Sequence, residues 1–295
     1  MLSSPNSLRR AVAMRMRVAL LVIHANSLRD SPAPGPRAPR RAVLGGILTA
    51  PQWARAQSPY DAAFAASTKL DADAFYAAHP YRSPGDVLTY IETCAAPGDA
   101  SAVLQAFEYF GRKYPMYSIG ATKGKILDSA VAKAKPKRIV EVGSFLGYSA
   151  VRMAAKLPGD GMLACVEGNA EFARTAEGVV ARAGLSDRVR FFVGLASDEI
   201  PSVAKAFGSR VDLVFLDHCK ECYAPDLGRM EAAGLVTKGT VVVADNVVFP
   251  GAPGYLDKVA APAYATVLKP APYEAVGWET RWKEVDDAMS VSTKL

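Results

Sequence analysis

Short apolar runs alternate with helix-like patterns from about residue 120 onwards. Five runs rich in β-branched residues predict strands at 138–143, 162–168, 189–194, 211–217 and 240–246. Amphipathic patterns between and around them predict helices near 121–134, 148–156, 170–183, 198–206 and 225–233. This alternation predicts an α/β fold, in which helices cover both faces of a mostly parallel sheet.

The segments that flank this core follow other patterns. Residues 60–114 hold Ala-rich stretches and helix-start signals such as Ser83-Pro84, which predict a helical lead-in. At the other end, strand patterns at 273–283 and 287–294 follow each other without a helix between them. We therefore expect an antiparallel edge hairpin. The expected domain covers 57–295, with a lead-in at 57–120 and the α/β core at 121–295.

Charge separates the first 56 residues from the rest of the 295-residue chain. They contain nine arginines, no lysine and one acidic residue, which gives a formal charge of +8. The remainder carries −2, although the whole chain has a net charge of +6. A folded domain that binds nucleic acid needs a basic patch of its own. The charge balance therefore predicts no nucleic-acid partner.

Residues 1–56 have the composition of a targeting segment. A basic start precedes an apolar run at 18–25, and a second apolar run follows the twin arginines Arg40 and Arg41. Ala54-Arg55-Ala56 supplies a small-x-small cleavage pattern. Two such signals in series resemble plastid presequences that lead to the thylakoid lumen. We expect a removed presequence and a plastid location. The alternatives are a disordered basic tail, or an extension before a later methionine start, in a secreted or cytoplasmic protein.

No apolar run reaches the ~18 residues of a membrane-spanning helix. We therefore expect the mature chain not to insert stably into a membrane. We also expect it to be a monomer.

Polar residues and glycines stand where the predicted strands end, where ligands bind in such sheets. They are Glu141, Gly143, Glu167, Gly194, Asp217, Asp245 and Asn246. Gly143 and Gly147 allow a tight turn into a helix, but Phe145 occupies the middle glycine position of the dinucleotide fingerprint. A nicotinamide-dependent oxidoreductase is therefore disfavoured. Glu167 lies 26 residues after Glu141, where an acid commonly accepts hydrogen bonds from adenosine ribose hydroxyls.

The last two of these strand ends suit a hard cation. Asp217, Asp245 and Asn246 offer two carboxylates and an amide oxygen, which are ligands that Mg²⁺ prefers. His218, beside them, is more readily explained as a structural histidine. Cys219 and Cys222 form a C-x-x-C pattern, either two incidental cysteines or a redox pair.

Several segments spread over 84–295 carry a family resemblance. They read APGDASAVLQAFEYF, IGATKGKILD, EVGSFLGYSAVRMA, FLDHCK and GLVTKGTVVVADNVVFPGAP, followed by the terminal strand. Together they resemble the catechol O-methyltransferase family of class I S-adenosylmethionine-dependent enzymes. The resemblance implies a Rossmann-like seven-stranded, mostly parallel sheet whose last strand is antiparallel.

The resemblance also implies roles for particular residues. The methyl-donor site would be lined by Ile119, Glu141, Gly143, Ser149, Glu167, Ala196 and Asp217. Asp217, Asp245 and Asn246 would hold Mg²⁺, and Lys220 would be the general base. Lys220, Asn246 and Glu279 would contact the acceptor. Mg²⁺ would bind both hydroxyls of a catechol, Lys220 would accept a proton, and the catecholate would attack the sulfonium methyl group.

The chain departs from the family around the acceptor. Cys219 replaces the family's tryptophan after Asp-His, and Pro115 replaces an aromatic wall. Ala121 stands where the family has an acid, and Pro250 alone remains of the apolar gate. The acceptor slot is therefore expected to be wider or less aromatic than in the family. The expected acceptor is a phenolic diol of the catechol-like vicinal type, with a caffeoyl-type phenolic or a flavonoid as the alternative. A non-catalytic adenosyl-ligand binder is the alternative from another class.

Overall fold

The computed structural model describes residues 83–113, 116–208, 210–271 and 286–295. All of them belong to the compact unit Trp53–Leu295. The proposed presequence and the helix patterns before residue 83 lie outside the described residues. The division into a presequence and a domain at 57–295 therefore stays a prediction.

Helices and strands alternate along the described chain as the patterns predict. The helices are α1 (Pro84–Cys94), α2 (Ala100–Lys113), α3 (Gly120–Ala134), α4 (Tyr148–Ala154), α5 (Ala170–Arg182), α6 (Ala196–Phe207), α7 (Tyr223–Ala232) and α8 (Tyr255–Lys258). The strands are β1 (Arg138–Val142), β2 (Met162–Glu167), β3 (Val189–Val193), β4 (Leu213–Leu216), β5 (Val241–Ala244), β6 (Tyr264–Pro270) and β7 (Ala288–Lys294). A 3₁₀ turn, Lys220–Cys222, leads into α7.

The seven strands form one sheet in the order β3-β2-β1-β4-β5-β7-β6. β7 is antiparallel to both its neighbours, and the remaining strands share one direction. This confirms the predicted sheet with its reversed last strand. Val142 pairs with Leu216, and Leu216 pairs with Ala244, so β1, β4 and β5 end at the same level. The residues that follow these three strands therefore meet at one edge.

The edge strand differs from the prediction. β6 occupies Tyr264–Pro270 and pairs antiparallel with β7, whereas the predicted partner at 273–283 lies wholly outside the described residues. Only Tyr264 of β6 is buried, and most of its other side chains face solvent. An edge strand with so few buried positions has no apolar alternation for a sequence pattern to detect.

Two hydrophobic cores lie on opposite faces of the sheet. Ile139, Phe215 and Val243 face a core that includes helices α1 to α5. The next residues along each strand, such as Val140, face the second core with α6, α7 and α8. Successive strand residues point to opposite faces, so continuous apolar runs bury both, as predicted. None of the helices within the described ranges is both long enough and apolar enough to span a membrane.

Candidate active site

A cleft of about 740 Å³ opens at the carboxyl ends of the central strands. It is lined by most of the predicted site residues: Ile119, Gly143, Glu167, Ala196, Asp217, Lys220, Asp245 and Asn246. Two predicted donor-site residues, Glu141 and Ser149, lie one layer deeper. Glu279 and Pro115 lie outside the described residues.

The turn between β1 and α4 forms the floor of the cleft. Gly143 has φ +88°, and a Cβ atom there would lie 2.4 Å from the backbone oxygen of Asp217. Glycine is required because the chain after β4 passes directly over it. Phe145 also has a positive φ, of 45°, and its ring packs edge-on against Phe172 at 4.9 Å between centroids.

Glu141 supports this turn from below. It is fully buried, Ser149 donates a hydrogen bond to one carboxylate oxygen, and Cys165 Sγ lies 3.1 Å from the other. Burial raises the pKa of Glu141 to about 7. Ser149 belongs to the first turn of α4, so the Glu141–Ser149 hydrogen bond ties β1 to the helix that starts beside the cleft.

Glu167 ends β2 at the cleft with its carboxylate held by the backbone. Its two oxygens accept hydrogen bonds from the N–H groups of Phe145 and Asn169, both at 2.9 Å. Burial raises its pKa, and these N–H groups oppose the rise. The backbone thus fixes the acceptor that was predicted to meet ribose hydroxyls.

The three residues predicted as metal ligands lie at the ends of neighbouring strands. Asp217 follows β4, and Asp245 and Asn246 follow β5. Asp217 Oδ1 lies 2.8 Å from Lys220 Nζ, and Asp245 Oδ1 lies 2.7 Å from Lys123 Nζ. Burial, with a contribution from Asp245, raises the pKa of Asp217 to about 6, while Lys220 opposes the rise. A divalent cation would relieve the repulsion between these two carboxylates, so the donor set fits Mg²⁺.

Such a cation would depend on an amide as well as on acids. Within the described ranges, no cluster of three or more His, Cys, Asp or Glu side chains is arranged to hold a metal. The predicted donor set, two carboxylates and the Asn246 amide, stays a prediction.

A buried ion pair at this site was not predicted. Lys123 of α3 is 3% exposed and pairs with Asp245 and, at 2.6 Å, with Asp287. Asp287 also accepts from Asn246 Nδ2 at 2.9 Å. Lys123 and Asp287 are 164 positions apart, so spacing could not associate them. The one sequence signal for this pair was a lysine on the buried face of α3, which indicates that a buried acid lies nearby.

Lys220 is held by groups on both sides. Its Nζ donates to Asp217 Oδ1 at 2.8 Å and to Tyr223 Oη at 2.7 Å. Tyr223, which is fully buried and was not predicted, donates in turn to the backbone oxygen of Asp245 at 3.1 Å. His218 Nε2 lies 2.9 Å from Asp226 Oδ2, and its ring stacks on Tyr223. These contacts agree with the structural interpretation of His218.

Lys220 also lies inside a disulfide-closed turn. Cys219 and Cys222 are bonded, with their Cα atoms 5.2 Å apart, and both line the cleft. The two cysteines are therefore a bonded pair, and a redox role for them stays a prediction. Pro250 lines the same cleft. The wall near Lys220 thus contains a disulfide where the resembling family has a tryptophan.

Comparison with protein families identifies the family of the chain. The family model described as O-methyltransferase matches residues 99–266, which is more than half of the chain. The chain belongs to the O-methyltransferase family, and it is an enzyme of that class. This confirms the resemblance inferred from the sequence motifs.

Curated relatives include catechol O-methyltransferases and a transmembrane O-methyltransferase. The chain is 42% identical over 179 residues to catechol O-methyltransferase B of Danio rerio, covering 60% of this chain and 67% of the relative. It is 45% identical over 142 residues to the catechol O-methyltransferase of Sus scrofa, covering 48% and 76%. A transmembrane O-methyltransferase of Homo sapiens is 37% identical over 171 residues, covering 57% and 59%. The chain thus spans about two thirds of the relatives' length.

Solved structures share the fold. An O-methyltransferase from Bacillus cereus, solved in complex with SAH, matches with a TM-score of 0.56 and 23% identity, over 71% of this chain and 97% of that chain. TomG from Streptomyces achromogenes matches with a TM-score of 0.53 and 23% identity, over 76% and 99%.

Proposed function

We propose that this enzyme transfers a methyl group from S-adenosylmethionine to one hydroxyl of a catechol-like vicinal diol, with Mg²⁺. The observation that carries the proposal is the position of Lys220 at the cleft, bonded to Asp217 and linked through Tyr223 to the end of β5. A proton acceptor thus lies beside the proposed cation site. The names of the curated relatives support the catechol class of acceptor.

The donor would occupy the part of the cleft nearest β1 and β2. Glu167 is oriented to accept hydrogen bonds from the ribose hydroxyls. Ile119, Gly143, Ala196 and Asp217 line the same cleft. Glu141 and Ser149 stay predicted donor-site residues, and their hydrogen bond holds the turn between β1 and α4 beside this part of the cleft.

Asp217, Asp245 and Asn246 would hold Mg²⁺ with two carboxylates and an amide oxygen. When bound, the cation supplies Lewis acidity that lowers the cost of ionising a hydroxyl bound to it. As a neutral amine, Lys220 Nζ would receive the proton of that hydroxyl. Tyr223 keeps Nζ at the edge of the cleft by accepting a hydrogen bond from it. The remaining requirement is that the cleft holds the attacking diol oxygen in line with the donor methyl group.

A larger phenolic acceptor, caffeoyl-type or flavonoid, is the second candidate. The observation that favours it is the Cys219–Cys222 disulfide in the wall where the resembling family has a tryptophan. Glu279 stays a predicted acceptor contact. Comparing kcat/KM for catechol with that for a caffeoyl-type phenolic ranks the two candidates, and a preference for catechol would reject the second.

Residues 1–56 form part of the proposal as a removed plastid address, with the thylakoid lumen as its end point, and 57–295 as a monomeric mature enzyme. Their Arg-rich composition and the cleavage pattern ending at Ala56 support this. A fluorescent protein fused behind 1–56 tests the address, and diffuse cytosolic fluorescence would reject it.

Replacing Lys220 with Ala tests the assigned chemistry. We expect kcat to fall about 10²–10⁴-fold, the usual contribution of a general base, while the donor Kd is unchanged. The control is K205A, which removes an exposed lysine near the end of α6. Methyl transfer by mass spectrometry and donor titration by calorimetry give both quantities. Unchanged turnover in K220A would reject Lys220 as the base.

A further inference from the structure

Asp287 is a buried acceptor with four donors around it. Its side chain has no exposed surface. Oδ2 accepts from Lys123 Nζ at 2.6 Å and from Asn246 Nδ2 at 2.9 Å. Oδ1 accepts from the backbone N–H groups of Phe249 at 2.9 Å and Val248 at 3.3 Å.

This arrangement fixes which way the Asn246 amide faces. A side-chain amide has donors on its nitrogen and acceptors on its oxygen, whereas an ionised carboxylate only accepts. The carboxylate of Asp287 therefore takes the NH₂ side of Asn246. Oδ1 of Asn246 is turned away from Asp287, and oxygen is the atom that a hard cation requires. A flipped amide would direct two N–H bonds at a cation.

The same carboxylate also stabilises the chain around Asn246. Asn246 has a left-handed backbone, with φ 56°, which is uncommon outside glycine but is adopted by asparagine more often than by most residues. The N–H groups of residues 248 and 249, which bind Asp287, hold the segment that immediately follows. Lys123 joins Asp287 to Asp245, so one buried ion pair network reaches both residues that follow β5.

We propose that Asp287 is the positioning residue of the magnesium site, acting by fixing the Asn246 amide oxygen toward the cation. The inference rests on the Mg²⁺ part of the proposed function. Residues that orient metal ligands commonly change metal affinity by about 10–100-fold when they are replaced.

The test is Mg²⁺ binding to the full chain carrying D287N, measured by isothermal titration calorimetry without donor or acceptor. An amide at 287 presents a donor toward Lys123 and Asn246 or toward the two backbone N–H groups, so the Asn246 amide loses its fixed orientation. We expect the Mg²⁺ Kd to rise about 10–100-fold. The donor Kd is expected to stay unchanged, and saturating Mg²⁺ to restore most of kcat.

The matched control is E231Q. Glu231 is also a carboxylate with three partners, Lys258 at 2.8 Å, Lys294 at 2.9 Å and Tyr264 at 2.7 Å, but it does not line the cleft. We expect its Mg²⁺ Kd to equal that of the wild type. If circular dichroism shows that D287N is not folded, D287S replaces it, with the same expected rise.

Two results overturn the inference, and they differ from failure of the proposed function. An Mg²⁺ Kd in D287N equal to that of the wild type would show that Asp287 does not position the site. A donor Kd that rises as much as the Mg²⁺ Kd would show a general structural role. If the wild type itself binds no Mg²⁺, the metal part of the proposed function fails, and this inference fails with it.

Discussion

At the scale of single residues, Glu141 shows how a buried carboxyl group can hold a turn beside the cleft. Its carboxyl group is buried with Ser149 and Cys165. Its pKa rises from 4.5 to about 7, because burial disfavours the charged form. Ionising this group therefore costs folding stability.

The pH dependence of E141Q follows from this shift. Between the unfolded pKa near 4.5 and the folded pKa near 7, the folded state retains a proton that the unfolded state has lost. The contribution of Glu141 to the free energy of unfolding is thus fully present below pH 4.5. It falls by about 3 kcal/mol as the pH rises to 7. We expect E141Q to gain in stability relative to the wild type over this range. Urea unfolding at pH 5 and pH 7 measures the free energy of unfolding of both proteins. A difference between E141Q and the wild type that is the same at both pH values would contradict the assigned pKa.

Residues near the ends of the strands were predictable from sequence because each polar residue follows an apolar run. Asp217, Asp245 and Asn246 were identified in this way, and they lie together as expected. Lys123 and Asp287 were not identified, because their contacts join segments far apart in the chain. Tyr223 was missed for a related reason, since a buried tyrosine at the start of a helix gives no chemical signal of its own.

At the scale of elements, the turn after β1 is constrained by close packing as well as by ligand approach. The sequence explained Gly143 by a tight turn and by access for a ligand. The structure adds a second cause, the backbone of Asp217 passing 2.4 Å from where a Cβ atom would lie. The strand ends after β1 and β4 are thus packed against each other.

Replacing Gly143 with Ala therefore combines two costs. The positive φ costs about 1–2 kcal/mol, and the overlap with backbone adds about 1–3 kcal/mol. G208A is the matched control, since Gly208 has φ +65° but a Cβ there meets nothing within 4 Å. We expect G143A to lose more free energy of unfolding than G208A in urea titrations. Equal losses would show that the overlap relaxes without cost.

The disulfide-closed turn gives an element-scale prediction about redox conditions. A dithiol reductant supplies two electrons and two protons, and so converts the Cys219–Cys222 bond into two thiols. Lys220 lies between these cysteines, and we expect reduction to loosen its turn and raise the acceptor KM. Steady-state assays with and without dithiothreitol measure this, with the C219S/C222S variant as a control insensitive to reductant. An acceptor KM that reductant leaves unchanged would dismiss the idea.

Element prediction succeeded wherever burial imposes a pattern. The five parallel strands β1 to β5 lie within their predicted segments. Four of them, β1, β2, β4 and β5, are largely buried, so their apolar runs are continuous, whereas β3 has only partly buried and exposed residues. The edge strand β6 was missed, since its exposed positions carry no such pattern. Strand order also lies beyond periodicity. The family resemblance implied a reversed last strand, but the place of β7 between β5 and β6 was not predicted.

At the scale of the whole molecule, the fold gathers the proposed donor, cation and acceptor sites at one edge of one sheet. Because β1, β4 and β5 end at the same level, the residues that follow them, Gly143, Asp217 and Asp245, lie together. The turn between β1 and α4 forms the floor beneath the proposed donor, and the disulfide-closed turn carries the proposed base. Membership of the O-methyltransferase family agrees with this arrangement.

The most direct test of the account is methyl transfer by the purified full chain. The reaction would contain S-adenosylmethionine and a panel of vicinal phenolic diols, with either Mg²⁺ or a chelator, and products would be identified by mass. The account predicts a product one methyl group heavier than the diol, formed with Mg²⁺ and lost with the chelator. Equal product in the presence of the chelator would contradict the assigned cation. No methylated product from any diol, with the donor still bound, would contradict the proposed acceptor class.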